Sequence, residues 1–500
     1  MKRNLVIRAD ANARMGIGHF MRCLALAQGW KAQGGKVTFI TACQSEGLLQ
    51  RLREEGFDIH LLIDSYPDTS DWDYTRDVLA AHPSAWVGLD GYHFDEAYHQ
   101  QVKEAGHRLL VIDDMAHLKL YYADIVLNQN LCADQLPYLC EPDTRLLLGT
   151  RYVLLRREFI GWRGRKREIP KVARQVLVTL GGGDPENITL KVIQVLQETD
   201  VAGLEAIVVV GASNPHDAIL EAAAGRSRIP IRLIRDARNM PELMAWADAA
   251  VSTAGTVIWE LAWMGVPAVL LAQADNQRRL AEEVHRAGAA VNLGWAHRIN
   301  MSELAEKLGK FLRDSETLEM MLQQMKTLVD GEGVSRVMMH MMGEKLRLRH
   351  VREGDCRLLW EWANEPGVRT SSFSVKPIPW EEHARWFAQK LNDSHCFHFI
   401  ALDDHDIPVG QVRFDVQGEE AEIDISVDRQ RHGHGHGSAI INAAVHKMFL
   451  SGPVKIVHAY VKPNNEASVH AFRRAGFRDS GIRLIRGYQA VHLIRVKRDE

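Results

Sequence analysis

Over residues 4 to about 165, short apolar runs alternate with amphipathic stretches, the pattern of a parallel sheet whose strands are joined by crossover helices. The spacing predicts strands at 5–7, 37–40, 85–89, 109–112 and 124–127, several ending on polar residues: Asp90, the pair Asp113 and Asp114, and Asn128 to Asn130. In open α/β sheets the ligand crevice lies at the carboxyl ends of the strands, so Asp10, Asp90 and Asp114 are candidates to converge there. The competing reading makes each a helix cap or turn former. A basic, glycine-punctuated segment at 161–170 suits a linker, after which the alternation resumes. Strands are expected at 175–180, 206–210, 231–234, 249–252 and 266–271, with a helix beginning near Met240 and a helical stretch to about Met342. Beyond Gly343 the pattern changes. Residues 346–351 alternate like an exposed strand, Asp355 can cap a helix, and further strands are predicted at 398–402, 409–414 and 421–427. The chain therefore reads as three domains, 1–165, 166–342 and 343–500.

Length agrees, since 500 residues is about three times the usual domain size of roughly 150. The 61 lysines and arginines nearly balance 64 acids, which gives no electrostatic case for a nucleic-acid or membrane partner. Cysteines 23, 43, 132, 140, 356 and 396 show no metal-ligand spacing and fit free thiols in a reducing compartment. No signal-peptide core or membrane-length apolar run is present, so the expected location is cytoplasmic.

The chemistry concentrates in three loops. The first follows the opening strand: Arg8, Asp10, Gly16, Gly18, His19 and Arg22 stand where strand gives way to helix. Glycines let the backbone turn and approach a ligand, and a helix start favours an anion. A histidine at that end is expected to be neutral and able to take a proton from water, although a mere helix cap would look the same. Met21 stands where a dinucleotide fingerprint needs its third glycine, and no acid ends the second strand, which disfavours a dehydrogenase. The second group comprises Gly181 to Asp184, Ser252 to Thr256, Glu260 and Asn276 with Gln277. Small residues at a helix start can cradle a phosphate, and Glu260, one turn on, can take the two hydroxyls of a ribose. The third is the histidine-glycine alternation of residues 432–437 before an apolar helix. Its amides suit a pyrophosphate, whereas chelation by alternate histidines is the weaker reading, so no metal is expected. Met338, Met339, Met341 and Met342 read as packing residues, and Trp360, Trp362, Trp380 and Trp386 as core or pocket walls without preference.

On these residues two resemblances stand out. Residues 1 to about 340 resemble the UDP-sugar hydrolases of pseudaminic acid biosynthesis, which act on UDP-2,4-diacetamido-2,4,6-trideoxy-β-L-altropyranose. The matching pieces are Arg8-x-Asp10, Gly16-Ile-Gly-His19-x-x-Arg22, the stretches 112–117, 127–130, 148–156 and 181–185, Ser252 to Gly255 with Trp259 and Glu260, and Asn276 with Gln277. The resemblance implies an α/β fold of two Rossmann-like lobes of GT-B type. It implies a metal-independent attack of water on the anomeric carbon with inversion, His19 being catalytic together with Asp10 and Arg22. UDP would be held by Arg8, Gly16, Gly18, Gly182, Asp184, Ser252, Ala254, Gly255, Glu260, Asn276 and Gln277.

Residues from about 346 onward resemble GNAT-type N-acetyltransferases through the opening strand and cap at 346–355, the glycine loop, and Asn465-Glu-Ala-Ser468 with Phe472, Gly476 and Phe477. This implies an α+β domain with a mixed sheet, and acetyl-CoA as co-substrate on Val427, Gly433, Gly435, Gly437, Ser438 and Asn465. It also leaves room for a homodimer through this domain. Phe472 replaces a tyrosine often proposed as the acid, and Tyr460 replaces a glutamate, so Tyr460, Asp424 and His458 are candidates by type and placement. In the pathway of the first family, acetylation of a 4-amino UDP-sugar directly precedes loss of UDP, so a fused chain would join consecutive steps on small-molecule nucleotide sugars. Two alternatives remain. The lobes can be a glycosyltransferase using a UDP-sugar, fused to an acetyltransferase of another amine, or one module can bind its ligand without turnover.

Overall fold

The computed structural model describes residues 3–11, 16–211, 214–343, 346–432 and 435–497, apart from the side chains of Asn276 and Ser451. The chain divides into two compact units, Met1–Val337 and Met338–Glu500.

The first unit holds two parallel sheets. Strands β1 (Asn4–Ala9), β2 (Lys36–Thr41), β3 (Asp58–Leu61), β4 (Trp86–Asp90), β5 (Arg108–Ile112), β6 (Ile125–Asn128) and β7 (Arg145–Leu148) lie in the order β3-β2-β1-β4-β5-β6-β7. A second sheet of β8 (Gln175–Thr179), β9 (Glu205–Val210), β10 (Ile231–Arg235), β11 (Ala249–Ser252), β12 (Ala268–Ala272) and β13 (Val291–Trp295) runs β10-β9-β8-β11-β12-β13. Central strands are covered on both faces, which is why β1, β4, β8 and β12 read as unbroken apolar runs. β3, β7 and β13 lie outside the strands that the spacing predicts. They end their sheets, half exposed; β3 and β13 mix polar residues or glycine with apolar ones, and β7 offers only the short run Leu146 to Leu148. The helix Gly18–Ala32 shows no clear stripe because it buries Phe20, Leu24, Ala27 and Trp30 together with Cys23, Ala25 and Leu26, nearly all round.

The two lobes share packing. Val153, Leu155 and Phe159, from the segment after β7, belong to the same core as Trp259, Leu261 and Leu270 of the second lobe. The predicted linker is fastened by arginines. Arg163 donates to the Asp330 carbonyl at 3.2 Å, Arg165 to Ala245 at 2.9 Å, and Arg167 to Met264 at 3.2 Å and Met244 at 2.6 Å. The last three carbonyls end the helices Met240–Trp246 and Val257–Met264, where unpaired oxygens favour cations.

The second unit carries one mixed sheet of β14 (Arg347–His350), β15 (Cys396–Leu402), β16 (Pro408–Gln417), β17 (Glu420–Val427), β18 (Ile456–Val461), β19 (Arg478–Ile485) and β20 (Tyr488–Val496). Its order is β14-β15-β16-β17-β18-β20-β19. β17 and β18 form its parallel pair, and their register covers Glu420–Ile456 to Glu422–His458, after which the strands part. One face packs Val412, Phe414 and Ile423 against Ile440, Ile441 and Val445 of the helix His436–Ser451. On the other, Ile400 and Leu402 pack with Leu359, Trp362 and Phe387.

Candidate functional site

Two of the three aspartates expected at the first crevice are there. Asp90, the last residue of β4, lies 2.6 Å from His19 Nδ1 and accepts from Arg22 Nε at 2.6 Å and Nη2 at 2.7 Å. Arg22 Nη2 is also 3.0 Å from Nδ1. An ionised Asp90 only accepts, so Nδ1 carries its hydrogen toward it and the lone pair is on Nε2; Arg22 Nη2 and Nδ1 are then two donors brought close by sharing Asp90 Oδ1, with no hydrogen bond between them. Burial pushes the Asp90 carboxyl up, but the Arg22 guanidinium and the hydrogen bonds from Arg22 and His19 outweigh it and hold the group at about 2. Burial likewise opposes the Arg22 charge, and Asp90 and Asp114 overcome it, raising that guanidinium well above its ordinary value. Asp114 accepts from Arg22 Nη1 at 3.2 Å, from the Tyr92 hydroxyl and from Asn130 Nδ2 at 3.4 Å. Tyr92 meets the His19 ring edge-on, with centroids 5.0 Å apart. A buried, ionised carboxylate bound to Nδ1 fixes tautomer and ring orientation and stabilises the imidazolium formed when Nε2 takes a proton.

Asp10 departs from expectation, and so does Arg8. Arg8 is wholly buried and donates to Asp10 at 2.6 and 2.8 Å and to Asp71 at 2.5 Å, while Asp10 also accepts from the Ala42 amide at 2.7 Å. Burial raises the Asp10 carboxyl, but His93 and Arg8 reverse this and hold it well below the carboxylate range. A guanidinium without solvent must be fully paired, and here both carboxylates are consumed in pairing it. Arg8 and Asp10 thus brace the end of β1 behind the site instead of contacting ligand.

One cleft is lined from both lobes. The first contributes Gly16 to His19, Arg22, Arg51, Tyr92, Asp114, Asn130 and Arg156; the second contributes Gly181, Gly182, Gly211, Asp236, Arg238, Thr253 to Thr256, Glu260 and Gln277. Gly16, Gly18, Gly182, Ala254, Gly255, Glu260 and Gln277 are therefore brought together as expected by residue type. The glycines also have a packing reason. A Cβ at Gly18 would stand 2.9 Å from Thr256 Oγ1, and one at Gly182 would stand 2.8 Å from Ile17 Cγ2, so these positions let the two lobes approach.

Asp184 and Ser252 lie behind the lining. Asp184 accepts from the Ile188 and Thr189 amides, both at 2.8 Å, and so starts the helix Ile188–Glu198, while the Ser252 hydroxyl donates to the Thr179 carbonyl at 3.1 Å. Gln277 accepts from the Gln273 amide at 3.0 Å, and the Asn276 side chain falls outside the described residues. Glu260 is held by Arg156, whose Nε and Nη2 reach Oε1 at 3.1 and 2.8 Å. Burial raises its carboxyl and Arg156 opposes the rise. Sequence reasoning misses Arg51, Tyr92 and the role of Arg156. Their partners lie far off along the chain, and Asn130 and Arg156 are visible only as letters within motifs.

In the second unit Gly435 opens the helix His436–Ser451 at φ +79°, a conformation that suits glycine. The Ser438 hydroxyl donates to the Gly435 carbonyl at 3.0 Å, and a Cβ at Gly437 would meet Val427 Cγ2 at 3.8 Å. Gly433 falls outside the described residues. His432 Nε2 lies 2.9 Å from the Val427 carbonyl, an anchor for the loop. Among the described residues, no group of three or more histidine, cysteine or acidic side chains is arranged to hold a metal ion. Asn465 caps the helix Glu466–Arg474 through the Ser468 amide at 3.2 Å. Phe472 is buried against Phe477, ring centroids 5.0 Å apart, so this position belongs to the core. Tyr460 and His458 sit on the half-buried face of β18, and Asp424 accepts from Gln411 at 3.2 Å.

Both units match known domain models. Residues 176–336 match the glycosyltransferase family 28 C-terminal domain, and residues 345–478 match the acetyltransferase (GNAT) domain. The spore coat polysaccharide biosynthesis protein SpsG of Bacillus subtilis is 26% identical over 338 residues, 66% of this chain and 95% of its own. An uncharacterized protein of Methanocaldococcus jannaschii is 24% identical across 95% of this chain and 96% of its own. A solved spermidine N-acetyltransferase from Vibrio cholerae, in complex with CoA and spermine, aligns at 22% identity and a TM-score of 0.29, covering 30% of this chain and 95% of that one. The chain thus joins two Rossmann-like lobes, the second of which matches a glycosyltransferase family 28 C-terminal domain, to a mixed-sheet GNAT acetyltransferase domain. Among the described residues no helix is long and apolar enough to cross a membrane.

Proposed function

We propose that the first unit, with lobes 1–165 and 166–342, hydrolyses a UDP-sugar at its anomeric C–O bond, and that domain 343–500 acetylates the amino sugar nucleotide that precedes it, using acetyl-CoA. The observation that carries the reading is the buried Asp90–His19 pair in a cleft also lined by the small-residue loops at 181–182 and 253–256. Those loops supply amides for a diphosphate. His19 Nε2 then takes a proton from water as oxygen attacks the anomeric carbon from the face opposite the leaving UDP, which gives inversion. Asp90 stabilises the imidazolium, and the loop amides stabilise the charge that gathers on the leaving group. No metal is required by this scheme, and both substrates belong to the cytoplasm. UDP-2,4-diacetamido-2,4,6-trideoxy-β-L-altropyranose is the proposed substrate, on the strength of the motif resemblance and of a relative named for polysaccharide biosynthesis.

The match of residues 176–336 to a glycosyltransferase domain favours a second reading, transfer of the sugar to an acceptor. Mass spectrometry of products from UDP-2-acetamido-4-amino-2,4,6-trideoxy-β-L-altrose, with and without acetyl-CoA, separates them. Free diacetamido sugar and UDP formed without any acceptor are expected. UDP-sugar that stays intact until an acceptor is added would favour transfer.

A further inference from the structure

The most developed cluster outside the cleft lies on one face of β17, β18 and β20. His492 stands opposite Tyr460 in the β18–β20 register, and the two rings stack with centroids 4.8 Å apart at 14°. His492 Nε2 is 3.0 Å from His458 Nδ1, and His458 Nε2 is 3.2 Å from a carboxylate oxygen of Glu420. The His492 residue is 6% exposed, and its Nδ1 has no hydrogen-bond partner. His458 Nε2 forms no hydrogen bond to Glu420 at that distance, but a hydrogen there faces the carboxylate favourably, and His492 Nε2–H then donates to His458 Nδ1 and leaves the lone pair on His492 Nδ1.

The cluster borders a gap. β17 and β18 separate after Glu422–His458, and Tyr460 with its neighbour His492 lies just past that last pair. The carboxyl ends of parting parallel strands form a crevice, and β17 leads directly into the glycine loop and helix His436–Ser451, whose start suits the pyrophosphate of CoA.

We propose that His492 takes the proton of the acceptor ammonium during acetyl transfer and that His458 and Glu420 carry it to solvent. The proposal rests on the third domain being an N-acetyltransferase and is independent of which amine it uses. The ammonium gives one proton to His492 Nδ1, and the freed nitrogen lone pair forms the N–C bond to the thioester carbonyl. The C–S bond breaks, and sulfur leaves as a thiol with the second N–H proton. Meanwhile His492 Nε2–H shifts to His458 Nδ1, and His458 Nε2–H passes to Glu420, whose side chain is 59% exposed, and on to water. The products are an acetamide, CoA thiol and one released proton.

The groups around the pair are Glu420, Glu422 and Asp424 on β17, Tyr460 on β18 and Arg483 on β19. Burial, then His458 and Arg483, push the His492 imidazole below its ordinary value, which keeps it neutral and able to accept near pH 7. His398 also has an unpaired nitrogen, but its path runs through the Gln411 amide to Asp424, and an amide does not pass protons along.

Release of free thiol from acetyl-CoA tests this in the full chain, with UDP-2-acetamido-4-amino-2,4,6-trideoxy-β-L-altrose, spermidine and kanamycin as probe amines. His492→Gln is expected to lose roughly 100-fold in kcat at pH 7, with CoA binding retained by titration. Its rate should return to within about threefold of the parent near pH 9.5, where amines begin to shed the proton unaided. A loss equal at every pH, or no loss, would overturn the relay. In the unmodified chain, proton–nitrogen spectra should show the hydrogen bond between His492 Nε2 and His458 Nδ1, and its absence would also overturn the relay. Acetylation of spermidine or kanamycin alone would overturn the sugar-nucleotide reading and leave the relay standing; turnover of no amine would overturn both.

Discussion

The two units hold their histidines in opposite ways. His19 is gripped by charge: a wholly buried carboxylate binds its Nδ1, and a guanidinium pins that carboxylate from the other side. His492 is held by rings, another imidazole on its Nε2 and a stacked phenol, with the Glu420 carboxylate beyond His458. The difference follows the chemistry proposed for each. Deprotonating water beside a leaving diphosphate requires an imidazolium stabilised where it forms, and a buried anion does that. An ammonium needs only a lone pair and an exit for its proton, and a fixed anion nearby would bind the cation and hold it.

The largest effect expected from this contrast is at the anchor of the first site. Asp90→Asn leaves Arg22 buried without its main counter-charge, at a cost of about 3–5 kcal/mol, and should remove UDP release at least as thoroughly as loss of His19. Chemical unfolding together with turnover checks both. Parental stability and rate in the Asp90→Asn protein would erase the contrast. The same carboxylate should show in acid. Its folded value near 2 lies below the ordinary aspartate value, so its stabilisation is complete above about pH 4 and fades as pH falls toward 2. The contribution at stake is roughly 2 kcal/mol, read as the difference between the acid unfolding curves of the parent and Asp90→Asn.

Next comes His19→Ala, expected to slow UDP release by about 100- to 10,000-fold with UDP affinity nearly unchanged, because the loops of the second lobe stay in place. Near-parental turnover would move the base elsewhere. The smallest effect is expected in the second unit. His458→Gln keeps a hydrogen-bond acceptor for His492 but breaks the proton path, and acetyl transfer should fall about tenfold, less than the full contribution of an acid–base group. A loss matching that of Asp90→Asn in the first unit would mean that both histidines depend on their anchors alike.

The β-α alternation of the lobes is legible because a strand covered on both faces is apolar at every position, as in Val176 to Val178. β18, β19 and β20 are not, since their outward positions carry His458, Tyr460, Arg483 and His492, and half-exposed strands look like loops when polar residues recur in them. The site divides in the same manner. Gly16, Gly18 and His19 follow closely on a strand end and can be read as a loop with a base. Arg8 and Asp10, nearer still to that strand, cannot be placed this way, because which side of β1 they occupy depends on Asp71 and Ala42.

Residue order alone settled what is local: where strands turn into helices, which turns need glycine, and that a histidine stands at a helix start. Only folding decided which charges meet. Asp90 reaches His19 across 71 residues, Glu260 reaches Arg156 across 104, and His458 reaches His492 across 34. Each pairing is set by register between strands or by closure of two lobes, and such through-space terms leave no periodic trace in the chain. The chemistry of a histidine depends on its partner, so the sequence could nominate His19 and three aspartates but the tertiary structure had to choose Asp90 among them, and with it the reason that Nε2 is the nitrogen left to act.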